Sequence, residues 1–306
     1  MRFVDLKSLK VFKDIAQTRS LSRAASLNGV SQSAVSQQVQ EVERVLGVTL
    51  LDRSSRPLGI TPAGGHYGEF CTDVLRRKEE LDDALDRLQQ KVAGKFKIAC
   101  IYSVGVSELV RLEREFAERH PESEVQVLYL RPEKVYAAVL GGEAELGLVS
   151  YPVANRDLET IPWRREEMVL AAAPTHFLAK KAAALRGPLP LDELQGVSFV
   201  GFDEELPIRR HVDRFFKEKG IEVKLDVFFD NIEMVKEAVA HGVGVGILPF
   251  RSMRDDIQRK RLTAIRLAGA SLYRPLGIIY RKKKPLPLAA QKFLELLRES
   301  VVQEVA

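Results

Sequence analysis

Three groups of residues have types and spacing suited to recognition chemistry. The first is Ser33, Ser36, Gln37, Gln40 and Arg44 in the segment from Ser31 to Gly47. At helical spacing they fall on one side, while Val35, Val39, Val42 and Leu46 fall within about 60° of each other on the other side. An exposed glutamine can pair bidentately with adenine in the major groove, and a serine can serve several bases or a phosphate. The second group is Arg53 and Arg56, in a polar turn between two short strand-like pieces, Leu50-Leu51-Asp52 and Leu58-Gly59-Ile60. Such a hairpin resembles a wing whose arginines enter a minor groove or hold phosphates. The third is Tyr102-Ser103-Val104-Gly105-Val106-Ser107, placed where a strand gives way to a helix. Amides at a helix N-terminus and the two hydroxyls favour an anion such as a carboxylate.

Each group also has a plainer reading. A Ser/Gln face suits an ordinary solvated helix, two arginines suit any surface, and a serine after a strand is often only a cap. The surrounding elements decide the weighting. Leu6, Leu9, Phe12, Ile15 and Ala16 recur at helical spacing. Ser20 or Ser22 can cap a second helix over Arg23–Leu27, which Asn28-Gly29 ends. Ser31 then caps a third helix, and Gly47 stops it near Leu46. Two short helices joined by a glycine turn form a helix-turn-helix, and residues 1–60 read as a winged version. Thr61-Pro62 is a cap followed by proline at the first helical position, opening a long helix to about Val92. Phe70, Val74, Leu81, Leu85, Leu88 and Val92 keep close to an a/d seam, with charge at Arg77-Lys78 interrupting it. So polar a helix needs a partner, and a second copy of itself is the simplest one.

Beyond Lys95 the period changes. Strand-like runs at Phe96–Ile101, Glu124–Leu130 and Ala144–Ser150 alternate with helices, and the order repeats at Val197–Gly201, Val223–Phe229 and Gly244–Pro249. Two further strands are expected at Leu158–Trp163 and Met168–Ala173, then Leu262–Leu267, Leu276–Tyr280 and a last helix over Leu288–Val305. This alternation predicts parallel sheets in two α/β lobes, with a ligand cleft between them. Residues 61–94 are expected to be a linker helix and 95–306 a two-lobed domain. Lobe I covers about 95–163 plus 270–306, and lobe II about 164–269.

Composition narrows the classes. The chain has 306 residues, 45% of them hydrophobic and 29% charged, a profile of globular domains rather than disorder. It has no apolar run of about 18 residues, so no membrane span is expected. The charged N-terminus lacks the apolar stretch of a secretory signal, and two cysteines, Cys71 and Cys100, suit a reducing cytosol. Residues 1–60 hold nine Lys/Arg against five Asp/Glu, so nearly all of the net charge of +5 sits there. A small basic unit on a neutral body points to nucleic acid. Hydrolase, metalloprotease and P-loop signatures are absent from the sequence, and His66, His120, His176, His211 and His241 are scattered. No catalytic role, cofactor or metal is expected.

Arg23-Ala24-Ala25, Val30 to Val39, Val42-Glu43, Leu46-Gly47, Leu50 to Arg53, Arg56 and Thr61 to Gly64 together resemble the winged helix-turn-helix of LysR-type transcriptional regulators. The resemblance continues through Gly142 to Leu148, Gly242 to Pro249 and Leu286 to Phe293, and covers essentially the whole chain. Asn28 stands where the family usually has Leu, and Leu51 where it often has Phe. The resemblance implies a dimer through the linker helix, often a tetramer, and a small co-inducer between the lobes. It carries DNA contacts onto Gln32, Ser33, Ser36 and Gln37, with Arg53 and Arg56 at the wing; Gln40 and Arg44 are added from the helix face alone. It carries effector contacts onto the loop Tyr102, Ser103, Val104 and Ser107. Opposite these, the strand ends place Ser150, Tyr151 and Phe202 in the Gly201-Phe202-Asp203 turn, while Asn231, which also reads as a helix cap, matches a cleft-lining position of the family.

The expected partners are double-stranded promoter DNA, a small and anionic effector, a second copy of the chain and RNA polymerase, in the cytoplasm and without a membrane. Two rivals fit less well. A solute carrier explains residues 95–306 but leaves the first 92 unused. A non-specific architectural DNA protein needs far more positive charge and no cleft.

Overall fold

The computed structural model describes residues 5–88, 92–105, 109–185, 187–269 and 271–302. The chain divides into two compact units, Met1–Gln89 and Gln90–Ala306.

In the first unit, α1 (Leu6–Thr18) begins at Asp5, whose carboxylate accepts from the Ser8 amide at 2.7 Å. Ser20 caps α2 (Leu21–Leu27) by accepting from the Arg23 amide. Ser22, the alternative cap, instead donates to Gln32 Oε1 at 3.0 Å. Asn28, the departure from the family pattern, closes α2 and donates from its amide to Asp14 at 2.6 Å, so it pins α2 to α1. Ser31 caps α3 (Gln32–Leu46), which ends at Gly47 in the left-handed region. Val35 and Val39 are fully buried and Val42 is half-buried, but Leu46, expected in the core, is exposed at the helix end. β1 (Leu51–Asp52) and β2 (Gly59–Ile60) pair antiparallel as the wing hairpin. Leu51, the second departure, is buried. α4 (Pro62–Leu88) starts at Thr61, which accepts from the Gly64 amide and donates to the Thr49 carbonyl. The core of this unit is Leu9, Phe12, Ile15, Val35, Val39, Leu50, Leu51 and Cys71. α4 contributes Tyr67, Cys71 and Val74 to it, while Phe70, Leu81, Leu85 and Leu88 stay exposed.

The second unit opens with β3 (Gly94–Ile101), a helical turn α5 (Tyr102–Val104), α6 (Val110–Arg119), β4 (Ser123–Leu130), α7 (Pro132–Gly141) and β5 (Leu146–Ser150). Val92, expected at the end of the linker seam, lies outside the helix and packs on the core of this unit. Residues 89–91 lie outside the described residues. β6 (Leu158–Ala172) is followed by α8 (Phe177–Leu185), β7 (Ser198–Phe202), α9 (Pro207–Lys219), β8 (Lys224–Phe229) and α10 (Ile232–Ala240). β9 (Gly246–Pro249), α11 (Arg254–Gln258), β10 (Thr263–Ile265), β11 (Tyr273–Arg281) and α12 (Leu288–Val302) complete it.

Two expectations are corrected here. The pieces Leu158–Trp163 and Met168–Ala173 are one continuous strand, β6, because the charged stretch between them stays paired with β11. The sheets are also mixed rather than purely parallel. β3 is parallel to β4 and β5, whereas β11 runs antiparallel to β5 and β6, and β6 is antiparallel to β9 and β10. β7 pairs parallel with β8, and a parallel bridge from Phe199 to Val245 ties β7 to the segment leading into β9. In the glycine run before β9, a Cβ on Gly244 would sit 2.6 Å from the Ser198 carbonyl, so this backbone approach admits only glycine.

Two hydrophobic cores make two lobes. One gathers Phe96, Ile98, Leu112, Phe116, Val135 and Phe293; the other gathers Leu170, Phe199, Phe215, Phe216, Val235 and Leu248. β6 and β11 are common to both. Leu158 and Trp163 of β6 lie in the first core, Met168 to Ala172 in the second. Leu276 and Ile278 of β11 lie in the first core, and Leu272 just before it in the second. Where these strands cross between cores, Arg274 stands opposite Glu166 in register.

Candidate functional site

The helix-turn-helix presents a polar surface. On α3, Gln32, Ser33, Gln37, Gln40 and Arg44 are exposed and Ser36 is half-buried. The opposite side of α3 is held by Val35 and Val39, so burial of that apolar face orients the amides outward. Several of these groups have local partners. Ser33 shares a hydrogen bond with Ser31 at 2.9 Å, and Gln32 accepts from Ser22. Arg44 forms a two-pronged pair with Glu41, which ties this cation to its own helix and raises its pKa through that hydrogen bond. In the wing, Arg53 and Arg56 are exposed. Arg53 reaches Glu43 at 3.5 Å, while Glu43 Oε1 accepts from the Leu50 and Leu51 amides and so braces the wing against α3. Asp52 is held by Ser54, whose hydroxyl and amide lower its carboxyl pKa, and not by Arg53.

In the second unit a cavity of about 60 Å³ lies between the two lobes. Tyr102, Ser103, Ser150, Phe202 and Asn231, all expected from the sequence, line it together. Val104 and Tyr151 do not. Val104 is fully buried in the first core because residues 102–104 continue as a helical turn rather than an open loop. Tyr151, at a φ of 50°, packs on the second core with its ring 5.0 Å from His211 and its hydroxyl buried without a hydrogen-bond partner. Ser107 lies outside the described residues. Asn231 both lines the cavity and caps α10, accepting from the Met234 amide at 3.0 Å.

Four charged residues that sequence reasoning missed shape this cavity. Arg274 lines it, is 2% exposed, and donates from Nη1 to Ser103 Oγ at 2.9 Å and from Nε to Glu166 at 2.9 Å, with Nη2 also on Glu166. Glu166 is equally buried. At the other side Arg131, which precedes α7, faces Asp203 at 3.5 Å and Asp230 at 3.6 Å. Arg131 and Asp230 line the cavity. Arg131-Pro132 and Asp230-Asn231 sit at strand-to-helix junctions, a signal that would have pointed to them. Arg274 inside a strand gives no such signal, because only the register brings it to Glu166 and Ser103. The arrangement is a guanidinium and hydroxyl floor, suited to a carboxylate or other anion. Phe202 supplies an apolar wall, and the ring of Tyr102 stacks on Tyr129 beside the cavity. Among the described residues no group of His, Cys, Asp and Glu is placed to hold a metal ion, and no helix is long and apolar enough to cross a membrane.

Comparison with known proteins decides the family. Residues 6–65 match the bacterial regulatory helix-turn-helix protein model of the LysR family, and residues 89–302 match the LysR substrate binding domain. The chain belongs to the LysR family of transcriptional regulators. This LysR-family chain is 28% identical to the HTH-type transcriptional regulator YcgK of Bacillus subtilis, over 98% of this chain and 96% of that one. Its fold is that of full-length CbnR complexed with its target DNA, at a TM-score of 0.68 and 22% identity, covering 97% of this chain and all of the other. The regulatory domain of Synechocystis CcmR in complex with 2-PG is similar to 68% of the chain, with 97% of that domain covered, at a TM-score of 0.60 and 24% identity. As a LysR-type regulator the chain is a DNA-binding protein with a small-molecule effector domain.

Proposed function

We propose that this regulator binds promoter DNA as a dimer joined through α4, reads base edges with α3, and responds to an effector that carries an anionic group. The observation that carries the reading is the polar face of α3, held outward by buried Val35 and Val39 in a winged helix-turn-helix. The division into a DNA-binding domain at 1–60, a linker at 61–94 and an effector domain at 95–306 follows. Gln32, Ser33, Ser36, Gln37 and Gln40 contact bases or nearby phosphates, and Arg53 and Arg56 hold backbone at the wing. The exposed apolar residues Phe70, Leu81, Leu85 and Leu88 supply the seam between two copies of α4. The protein acts in the cytoplasm, without catalysis, and passes its state to RNA polymerase.

The effector reading is supported by the cavity floor. Ser103 and Arg274 donate to the anionic group, and Ser150, Phe202 and Asn231 surround the rest. The 2-PG complex of CcmR supports a small ligand in this fold. Arg274 and Glu166 sit where β6 and β11 pass from one core to the other. A ligand that engages Arg274 therefore acts on the strands that join the lobes.

Fluorescence anisotropy on a promoter fragment and on random DNA, at several salt concentrations, tests the DNA half. Gln37→Ala weakens binding to the specific site by about 1–3 kcal/mol with little change on random DNA. Arg56→Ala weakens both and flattens the salt dependence. Equal losses on both DNAs for Gln37→Ala would remove its base-reading role.

A further inference from the structure

The charges around the inter-lobe cavity are unequally shared. At the floor, Arg274 is matched by one carboxylate, Glu166, which is almost fully buried. Across the cavity a single guanidinium, Arg131, stands between two carboxylates, Asp203 at 3.5 Å and Asp230 at 3.6 Å. Both separations exceed those of a tight charge-assisted bond, about 2.7–2.9 Å. Neither aspartate is firmly paired, and Arg131 Nε is buried without a hydrogen-bond partner. Asp230 is aimed by Asn231, whose amide donates to its Oδ1 at 2.8 Å. The floor is therefore balanced and offers donors, while the opposite side holds one negative charge in excess.

We infer that the effector is a zwitterion of the amino-acid class, with its carboxylate on Ser103 and Arg274 and its ammonium at Asp230, which lines the cavity, while Asp203, outside the lining, shares Arg131 with it. This rests on the reading of the cavity as the effector site. A ligand with one charge of each sign sets its ammonium against the excess carboxylate and adds no further net charge to the cavity. A dianion places its second negative charge against two aspartates that already share one cation. A simple monocarboxylate satisfies the floor and leaves the aspartate excess as it was. The cavity holds about 60 Å³, room for a few water-sized groups at roughly 10–15 Å³ each. The apolar contacts of Phe202 and Ile208 then fall to the ligand's side chain.

Calorimetric titration of the full-length protein at pH 7.5 tests the assignment. The probes are the common L-amino acids, their deaminated acids (4-methylpentanoate for leucine, 3-phenylpropionate for phenylalanine), the corresponding amines, succinate, and 2-PG. At least one amino acid is expected to bind tenfold or more tightly than its deaminated acid and its amine. Asp203→Asn with Asp230→Asn should lower that affinity at least tenfold and erase the preference over the deaminated acid, with ligand-free DNA binding retained. The zwitterion assignment is overturned if no amino acid binds, or if a deaminated acid, succinate or 2-PG binds as tightly as the best one. It is also overturned if the double aspartate variant keeps the preference. The cavity reading has a separate readout. Ser103→Ala should weaken every ligand that binds, charged amine or not, and unchanged binding of all of them in Ser103→Ala would place the site elsewhere.

Discussion

Gly64 and Gly65 are neighbours in α4 with opposite surroundings. A Cβ on Gly64 would lie 2.0 Å from the Leu50 carbonyl oxygen, whereas nothing lies within 4 Å of a Cβ on Gly65. Gly64→Ala should destabilise the N-terminal unit by about 1–3 kcal/mol through overpacking against backbone. Gly65→Ala should stabilise it by about 0.8–1 kcal/mol through helix propensity. Urea unfolding of the two variants checks the opposite signs. At the floor of the cavity, Glu166→Gln leaves the Arg274 charge buried without its counter-ion and should cost about 3–5 kcal/mol, measured the same way. Burial holds His211 below the usual histidine pKa of 6.5, with Arg214 pushing in the same direction. Its neutral form is thus favoured in the folded state. Its contribution is fully present above about pH 6.5 and is lost as the pH falls below that value, where the unfolded chain takes up the proton first. The melting temperature should drop less between pH 7 and pH 5.5 in His211→Gln than in the parent protein.

At the scale of elements, α4 plays two roles along its length. Its first turns pack Tyr67, Cys71 and Val74 against α1 and the helix-turn-helix core. Its later turns expose Leu81, Leu85 and Leu88. Charges placed on that face meet a second copy in a dimer and only water in a monomer. Leu81→Asp with Leu88→Asp should therefore halve the mass in light scattering and weaken palindromic DNA binding together, while the helix-turn-helix keeps its melting transition. A double variant of unchanged mass and DNA affinity would place the subunit contact on another surface.

At the scale of the whole molecule, an effector that alters DNA affinity must have its own affinity altered by DNA to the same degree. A coupling of about 1–3 kcal/mol, or roughly 5–150-fold, is the expected range. Titrating the best ligand of the amino-acid panel with and without operator DNA measures both arms. Unequal factors would mean that one of the two titrations reports a different event, such as a change in oligomeric state. Since Arg274 and Glu166 lie on the strands common to both lobes, Glu166→Gln should change the coupling and not only the affinity.

Local chemistry made much of this protein legible from its sequence. Ser20, Ser31 and Thr61 cap helices because a hydroxyl before an apolar period satisfies orphan amides, and Gly47 ends α3 because the left-handed region suits glycine. The amide face of α3 was readable because valines at helical spacing fix which side is buried. Ser103, Ser150, Phe202 and Asn231 were readable because they end strands or begin helices, where ligands meet α/β sheets. Tertiary structure decided the rest. Whether residues 158–172 form one strand or two depends on what pairs with them, and β11 spans the interval. Val104 and Tyr151 turn into the cores because the backbone at 102–104 is helical and that at Tyr151 is left-handed. The pairing of Arg274 with Glu166, and the sharing of Arg131 between Asp203 and Asp230, join residues about 70 to more than 100 positions apart. No local propensity encodes such partners. They are set by strand register and by the way two lobes close on each other.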